Sequence, residues 1–365
     1  MKTIGLITGL LLIGTILWDT FETVILPRRV TRRLRLTNLF YTGAWIPWSW
    51  VAERIRSGRR RETFLGVFGP LSLLVLLALW AVGLIFGFAL LMWATDAPVH
   101  HDGGPTSFAT YLYLSGVTFF TLGYGDVAPT EGFGRFLGVV ETANGFGLLA
   151  VCISYLPVLY QAFSRREASI SLLDARAGSP SSAVELLRRH RAEDTFDDLN
   201  RLLAEWEHWS AELLESHLSY PVLCYFRSQH DNQSWLRALT TVLDTCALVM
   251  IGVEGGPIWQ ARMTFAMARH AVVDIAQVMR TSPEHIRVRR ELPTSEFRRM
   301  SEHLKENRIS LSVDDETEKR LIELRKMYEP YVYSLSDWLL MPLPPWILPP
   351  DSVDNWKTSA WGRIQ

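Results

Sequence analysis

Thr118-Phe119-Phe120-Thr121-Leu122-Gly123-Tyr124-Gly125-Asp126 is the stretch that decides how this chain folds, and its surroundings matter as much as its letters. On its N-terminal side, Thr63 to Thr95 contains no charged residue. Pro70 suits the first turn of a helix, so the pattern predicts a membrane span from Pro70 to about Trp93. On its C-terminal side an apolar stretch runs from Phe133 to Phe163, interrupted by Arg135, Glu141 and Asn144. A third lies at the start of the chain, where Thr3 to Trp18 is uncharged and the apolar pattern continues to Leu26 around Asp19 and Glu22. At about 1.5 Å per residue, residues 3 to 26 reach roughly 36 Å, enough to cross a hydrocarbon core of ~30 Å. A cleaved signal peptide fits poorly: Lys2 stands alone in front, acidic residues come after, and no small-x-small site precedes Pro27.

Arginine sets the predicted orientation. Arg28, Arg29, Arg32, Arg33, Arg35, Arg54, Arg56, Arg59, Arg60 and Arg61 lie between the first two spans, against Glu53 and Glu62. Such a loop stays cytosolic, and Arg165 and Arg166 place the end of the third span on the same side. The N-terminus and the loop from Asp96 to Glu131, which holds the nonapeptide, then face outward. Phe40, Tyr41, Trp45, Trp48 and Trp50 read as an interfacial helix on the inner leaflet.

Beyond Ser164 the periodicity is helical and soluble. Ser179-Pro180 starts one helix, Asp194 to His217 makes a second, and Pro221 interrupts the next segment. Further helices are expected at about 232–251, 258–280, 293–307 and 314–340, with a break at Gly255-Gly256-Pro257. Thr241 to Gly252 is the most apolar piece but is too short to span a membrane. Trp206, Trp209, Trp235 and Trp259 read as core, and His208, His217, His230 and His270 as caps or core members. Pro342 to Pro350 is too proline-rich for a helix. The net charge of −1 and mean hydropathy of +0.09 average a membrane half with a soluble half. Cys152, Cys224 and Cys246 lack paired spacing, with the latter two expected as free cytosolic thiols, and the nine histidines are scattered.

With every fixed position of TxxTxGYGD matched, the nonapeptide resembles the pore signature of potassium channels. From about Pro70 to Phe163 the chain is similar to their outer helix, pore helix, filter and inner helix. The first span, basic linker and helical tail resemble, more loosely, a bacterial branch of the ion-channel family that carries an additional N-terminal span. The fold expected is an all-α membrane protein: three transmembrane helices plus a re-entrant pore helix and filter, followed by an all-α cytosolic domain. Its parts are an N-terminal span at 1–27, a basic linker with interfacial helix at 28–65, and a pore domain at 66–163. The pore domain divides into an outer helix at 70–93, pore helix at 106–120, filter at 121–125 and inner helix at 133–163. A helical cytosolic domain at 164–341 and a Pro/Trp-rich tail at 342–365 complete the chain. The resemblance implies a multi-pass protein of the cell membrane that works as a homotetramer and passes K⁺.

The residue types suit that task. A dehydrating potassium ion needs its water oxygens replaced by carbonyl dipoles, which four identical loops supply. Aiming successive carbonyls inward requires a backbone that alternates between right- and left-handed regions, and Gly123 and Gly125 adopt positive φ without a Cβ clash. The K⁺ ligands expected are the carbonyls of Thr121, Leu122, Gly123 and Tyr124 with the Thr121 hydroxyl, Gly125 closing the filter. Pro105-Thr106 starts the pore helix, and Thr118 stands in its last turn. By resemblance, Asp126 bonds to an aromatic residue of that helix, here Tyr113. Gly145, nineteen residues after Asp126, matches the family's hinge glycine. Helical spacing puts Thr142, Phe146, Leu149 and Ile153 on a cavity-lining face that continues through Leu156 or Pro157 to Tyr160. Pro157 is expected to kink or weaken the helix near an apolar gate, with Ser164 to Ser169 connecting that gate to the tail.

Other signals read more blandly. Glu141 and Asn144 sit away from the cavity face; ionisable residues in a membrane are functional suspects, and the favoured reading is a structural hydrogen bond, for example to Trp80 or Thr15. Asp19 and Glu22 lie near the inner end of the first span, within reach of Arg28 or Arg29. The arginine block is compatible with anionic lipid as a partner, His100, His101 and Asp102 read as a solvated turret, and the gating ligand is unknown. No regular arginine repeat suggests a voltage sensor, no GxGxxG unit suggests a nucleotide domain, and no nucleophile-base pair suggests an enzyme. Nucleic acid is not an expected partner. The competing readings are a non-selective cation channel, a coupled transporter, and a membrane-anchored signalling or scaffold protein with a vestigial pore.

Overall fold

The computed structural model describes residues 1–26, 35–101, 105–191, 196–230, 232–281, 294–311 and 314–348. It contains two compact units, Met1–Arg56 with Val67–Tyr160, and Ser57–Gly66 with Gln161–Gln365. Arg28, Arg29, Arg32, Arg33, Asp102 and the tail from residue 349 onward lie outside the described residues.

In the first unit, α1 (Lys2–Thr20) runs on through a π-helical turn at Phe21–Ile25. It packs on α3 (Gly58–Ala94), and each helix carries two glycines spaced four apart: Gly9 meets the backbone of Gly87, while Gly5 lies against Trp93 and Gly83 against Ile16. A Cβ at Gly9 would stand 2.9 Å from the Gly87 carbonyl oxygen, and one at Gly87 would stand 2.7 Å from Ile13. Small residues at this spacing let two apolar helices approach where water supplies no drive for them to associate. The outer faces carry exposed Ile7, Leu10 and Leu11 on α1 and Leu74, Leu79 and Val82 on α3, as lipid-facing walls do. Inside, Leu84, Phe88 and Met92 of α3 pack with Leu114, Val117 and Phe119 of α4 (Phe108–Phe119) and Leu137 of α5 (Gly132–Ala177). The aromatic helix of the linker is α2 (Leu36–Arg54), which buries Trp45 edge-on against Phe68, ring centroids 4.8 Å apart.

Two helices exceed the predicted spans. The outer helix begins at Gly58 rather than Pro70, so the proline sits inside it and the second half of the linker is helical. Its first turns are held within the second unit, where Glu62 pairs with Arg227 at 3.6 Å, so nothing stops the helix before the proline. The inner helix ends at Ala177 rather than Phe163, and the connector expected at Ser164 to Ser169 is helical. Pro157 lies inside this helix without ending it, since one absent N–H leaves only the Ile153 carbonyl without its usual donor. The extension is anchored by Arg166, fully buried in the second unit, which donates to the carbonyls of Leu223 (2.9 Å) and Phe226 (3.0 Å) and to His217 Nε2 (3.1 Å).

The rest of the second unit is helical: α6 (Ala183–His190), α7 (Asp197–Ser219), a 3-10 turn (Pro221–Tyr225), α8 (Trp235–Gly252), α9 (Ile258–Val278), α10 (Thr294–Glu306), α11 (Asp315–Lys326) and α12 (Glu329–Leu339). The single helix expected over 314–340 is two, parted at Met327 and Tyr328. Among the described residues four helices are long and apolar enough to cross a membrane, α1 with its π-helical turn, α3, α5 and α8, but 89% of the apolar window of α8 is already buried. Helix α8 is therefore the core of this unit. Its Asp244 accepts from the Tyr328 hydroxyl at 2.5 Å, and burial pushes that carboxyl up to about 7. Trp206, Trp209 and Trp235 are buried as expected, whereas Trp259 is 72% exposed at the start of α9. His208 and His270 are exposed too, paired i,i+4 with Glu212 and Asp274, because their helical positions fall on the solvent face.

Candidate functional site

The loop between α3 and α5 is a helix followed by an irregular return. Ser107 precedes α4, its N–H donating to Thr110 Oγ1 at 3.2 Å, so the helix starts two residues later than predicted. Tyr111 donates to the Ala97 carbonyl at 2.9 Å and Ser115 to the Ile85 carbonyl at 2.7 Å, which fixes α4 against α3. At its C-terminal end Phe120 N–H reaches Gly116 O, Thr121 N–H reaches Thr118 O and Leu122 N–H reaches Val117 O at 2.8 Å. The chain then leaves through residues of alternating hand. Thr121, Gly123 and Gly125 have φ of +56°, +60° and +79°, while Leu122 and Tyr124 between them do not. Positive φ at the two glycines matches expectation. At Thr121 the sequence gives no hint of it, since a β-branched residue rarely adopts it.

Beyond the loop, Val127–Pro129 pairs antiparallel with Val99–His101, so His100 and His101 belong to a short strand rather than to a free turret. The Tyr113 hydroxyl donates to Asp126 Oδ2 at 2.8 Å, spanning α4 and the residue just after the GYG run. In the single chain Thr121 to Asp126 are all exposed, with Tyr124 69% so.

Helix α5 braces this loop from behind. A Cβ at Gly145 would lie 2.2 Å from the Phe119 carbonyl oxygen, so the glycine is needed for close approach to the last turn of α4. Thr142 Oγ1 donates to Thr118 O at 3.4 Å, and the residue is half-buried rather than open to a cavity. Phe146, Leu149, Ile153, Pro157 and Tyr160 are exposed and Leu156 is half-buried, so the predicted stripe is an uncovered face of the chain.

The polar residues inside the membrane unit find partners other than those expected. Glu141 is fully buried against Ser115, not Trp80 or Thr15, and its second oxygen has no partner. Asn144 donates to Val140 O of its own helix at 2.8 Å. Asp19 accepts from the Thr37 hydroxyl at 2.6 Å and from Trp80 Nε1 at 3.2 Å. Glu22 accepts from Trp18 Nε1 at 2.8 Å and stands 3.6 Å from Arg35, the residue just before α2. Ser115 is invisible to sequence reasoning because a lone serine in an apolar helix carries no signal. The four glycines of α1 and α3 do carry one, in their spacing of four.

Residues 73–161 match the ion channel family. The Bacillus subtilis protein described as uncharacterized membrane protein YdjJ is 25% identical over 209 residues, 56% of this chain, and the match covers 60% of its own length. Protein LctB of Geobacillus stearothermophilus is 34% identical over 94 residues, 23% of this chain and 69% of its own. No solved structure matches the chain significantly. A pore-loop segment held between two apolar helices of a membrane-embedded protein coincides with the matched stretch, and the chain belongs to the ion channel family.

Proposed function

We propose that four copies of this chain form a potassium-selective channel, with K⁺ passing through the ring of Thr121–Gly125 loops. The observation that carries the reading is the alternation of backbone hand at Thr121, Gly123 and Gly125 within a complete TxxTxGYGD run. Alternation at every second residue is what turns consecutive carbonyls to one side, and a line of carbonyls replaces the hydration shell of a potassium ion. The exposed loop and the exposed stripe from Phe146 to Tyr160 are then the surfaces that four subunits gather about one axis. Tyr113 and Asp126 hold the outer end of the filter, and Gly145 seats the inner helix behind it. The N-terminus lies outside and the helical unit in the cytosol, by the arginine balance of the linker.

The test is reconstitution of the purified full chain in liposomes. A tetrameric particle with K⁺ flux that far exceeds Na⁺ flux supports the proposal. Equal passage of both ions supports a non-selective cation channel, and a dimeric or monomeric particle that still conducts refutes the four-loop filter.

A further inference from the structure

The second unit holds a cavity of about 340 Å³, walled by the first turns of α3, the segment after the 3-10 turn and the start of α8. Its charged lining is Arg59, Arg227 and Arg237 against Glu62. The field of Arg237 also includes Asp174. Two of the arginines are withdrawn from water: the Arg227 side chain is 8% exposed and Arg237 is 7% exposed. Burial draws both down to about 10, which leaves them charged at neutral pH.

The cavity wall keeps unused hydrogen-bonding capacity. Arg227 donates through its terminal nitrogens to the carbonyls of Leu339 and Leu340, and Arg237 to that of Asn232. The Nε of each arginine has no partner, nor does the hydroxyl of Ser228 or the Oε1 of Gln233, although all four atoms are buried. Buried polar groups without partners are uncommon in folded proteins, and all four of these atoms belong to residues that line the cavity. Guanidinium groups pair best with planar or tetrahedral oxyanions. The Gln233 oxygen in addition wants a donor.

We infer that this cavity is a binding site for a phosphate ester that also carries hydroxyl groups, its phosphate on Arg227 and Arg237 and a hydroxyl on Gln233. Glycerol phosphate is the simplest such molecule, and it is also the headgroup chemistry of phosphatidylglycerol, so the source is either soluble or lipid. Unlike the basic linker taken by itself, this site draws its buried cations from the tail. Arg59 and Glu62 belong to the helix that continues as the outer span, so an occupied cavity ties the base of that helix to α8.

The test uses the full chain in phosphatidylcholine nanodiscs, titrated with sn-glycerol 1-phosphate by calorimetry, and in parallel in discs doped with phosphatidylglycerol, with retained lipid counted by native mass spectrometry. Binding of glycerol phosphate supports the soluble source, and selective retention of phosphatidylglycerol supports the lipid source. In either arm Arg237→Gln should weaken binding about tenfold or more, the worth of one hydrogen bond to a charged group. Should Arg237→Gln fail to fold, Arg59→Gln carries the test, because that side chain is exposed and its loss should still weaken binding several-fold. Absence of binding in both arms, or equal binding by wild type and the folded variants, overturns the assignment.

Discussion

Gly145 is the position where the structure makes the sharpest demand. A methyl group there stands 2.2 Å from the Phe119 carbonyl oxygen and 3.1 Å from its carbon, whereas ordinary contact begins near 3.4 Å. The helices must part by about 1 Å, and the obstacle is backbone, which cannot rotate away. Overpacking of this kind costs typically 1–3 kcal/mol, and the upper end applies to a clash with backbone. Alanine returns about 1 kcal/mol over glycine in a helix, leaving a net loss of about 2 kcal/mol per subunit. In the proposed tetramer the penalty recurs four times, about 8 kcal/mol in all, concentrated at the last turn of α4 where the proposed filter begins. Gly147 is the control, since a Cβ there meets nothing within 4 Å. Gly145→Ala should therefore lower the melting temperature of the detergent-solubilised tetramer and abolish or sharply reduce K⁺ flux in liposomes, while Gly147→Ala should match wild type in stability or exceed it. If Gly145→Ala conducts and melts as wild type does, the close approach of α5 to Phe119 is wrong.

Three further outcomes are expected. Gly123→Ala adds a Cβ that meets no atom within 4 Å, so its cost is purely that of φ +60°. At about 1–2 kcal/mol per subunit this should cripple K⁺ selectivity without preventing assembly, and normal K⁺-over-Na⁺ flux would refute the filter assignment. Tyr113→Phe removes the bond to Asp126 and should make flux decay faster during sustained conduction; unchanged decay would show that the bond does not support the filter. Asp244, raised to about 7 in the folded unit, costs stability progressively as pH rises from about 4 to about 7, because the unfolded carboxyl releases its proton first. The stability advantage of Asp244→Asn over wild type should grow across that window, and a pH-independent difference would show that the buried carboxyl does not titrate there.

How far the sequence can be read depends on what kind of interaction fixes each feature. Spans come from bulk hydropathy, so α1, α3 and α5 are visible in it, and in the loop after α4 the positive φ of Gly123 and Gly125 is legible from residue type whereas that of Thr121 is not. Helix ends are not visible. Pro70 looks like a start because proline suits a first turn, yet the Glu62–Arg227 pair that holds the preceding turns joins residues 165 positions apart. The same holds for Ser164 to Ser169, which becomes helical because Arg166 finds carbonyls at Leu223 and Phe226. Buried polar partners are the least legible of all. Glu141 stands out as anomalous, but which of the neighbouring helices answers it depends on rotations that periodicity alone does not set.

The length of α5 bears on how the proposed pore would open. A helix from Gly132 to Ala177 has 46 residues, which at 1.5 Å per residue is about 69 Å, more than twice a hydrocarbon core of ~30 Å. A gate worked through a flexible connector would lose motion in that connector. The stripe from Phe146 to Tyr160 and Arg166 both lie within the bounds of this helix. Cysteines at Ile153, above the predicted constriction, and at Tyr160, within it, distinguish an inner gate from a filter gate. With an inner gate, a thiol reagent added on the side of the helical unit modifies Tyr160→Cys in open and closed conditions alike and Ile153→Cys only when the channel conducts. Equal modification of Ile153→Cys in both conditions would refute an apolar gate at Leu156 to Tyr160 and leave the filter itself as the element that opens and closes.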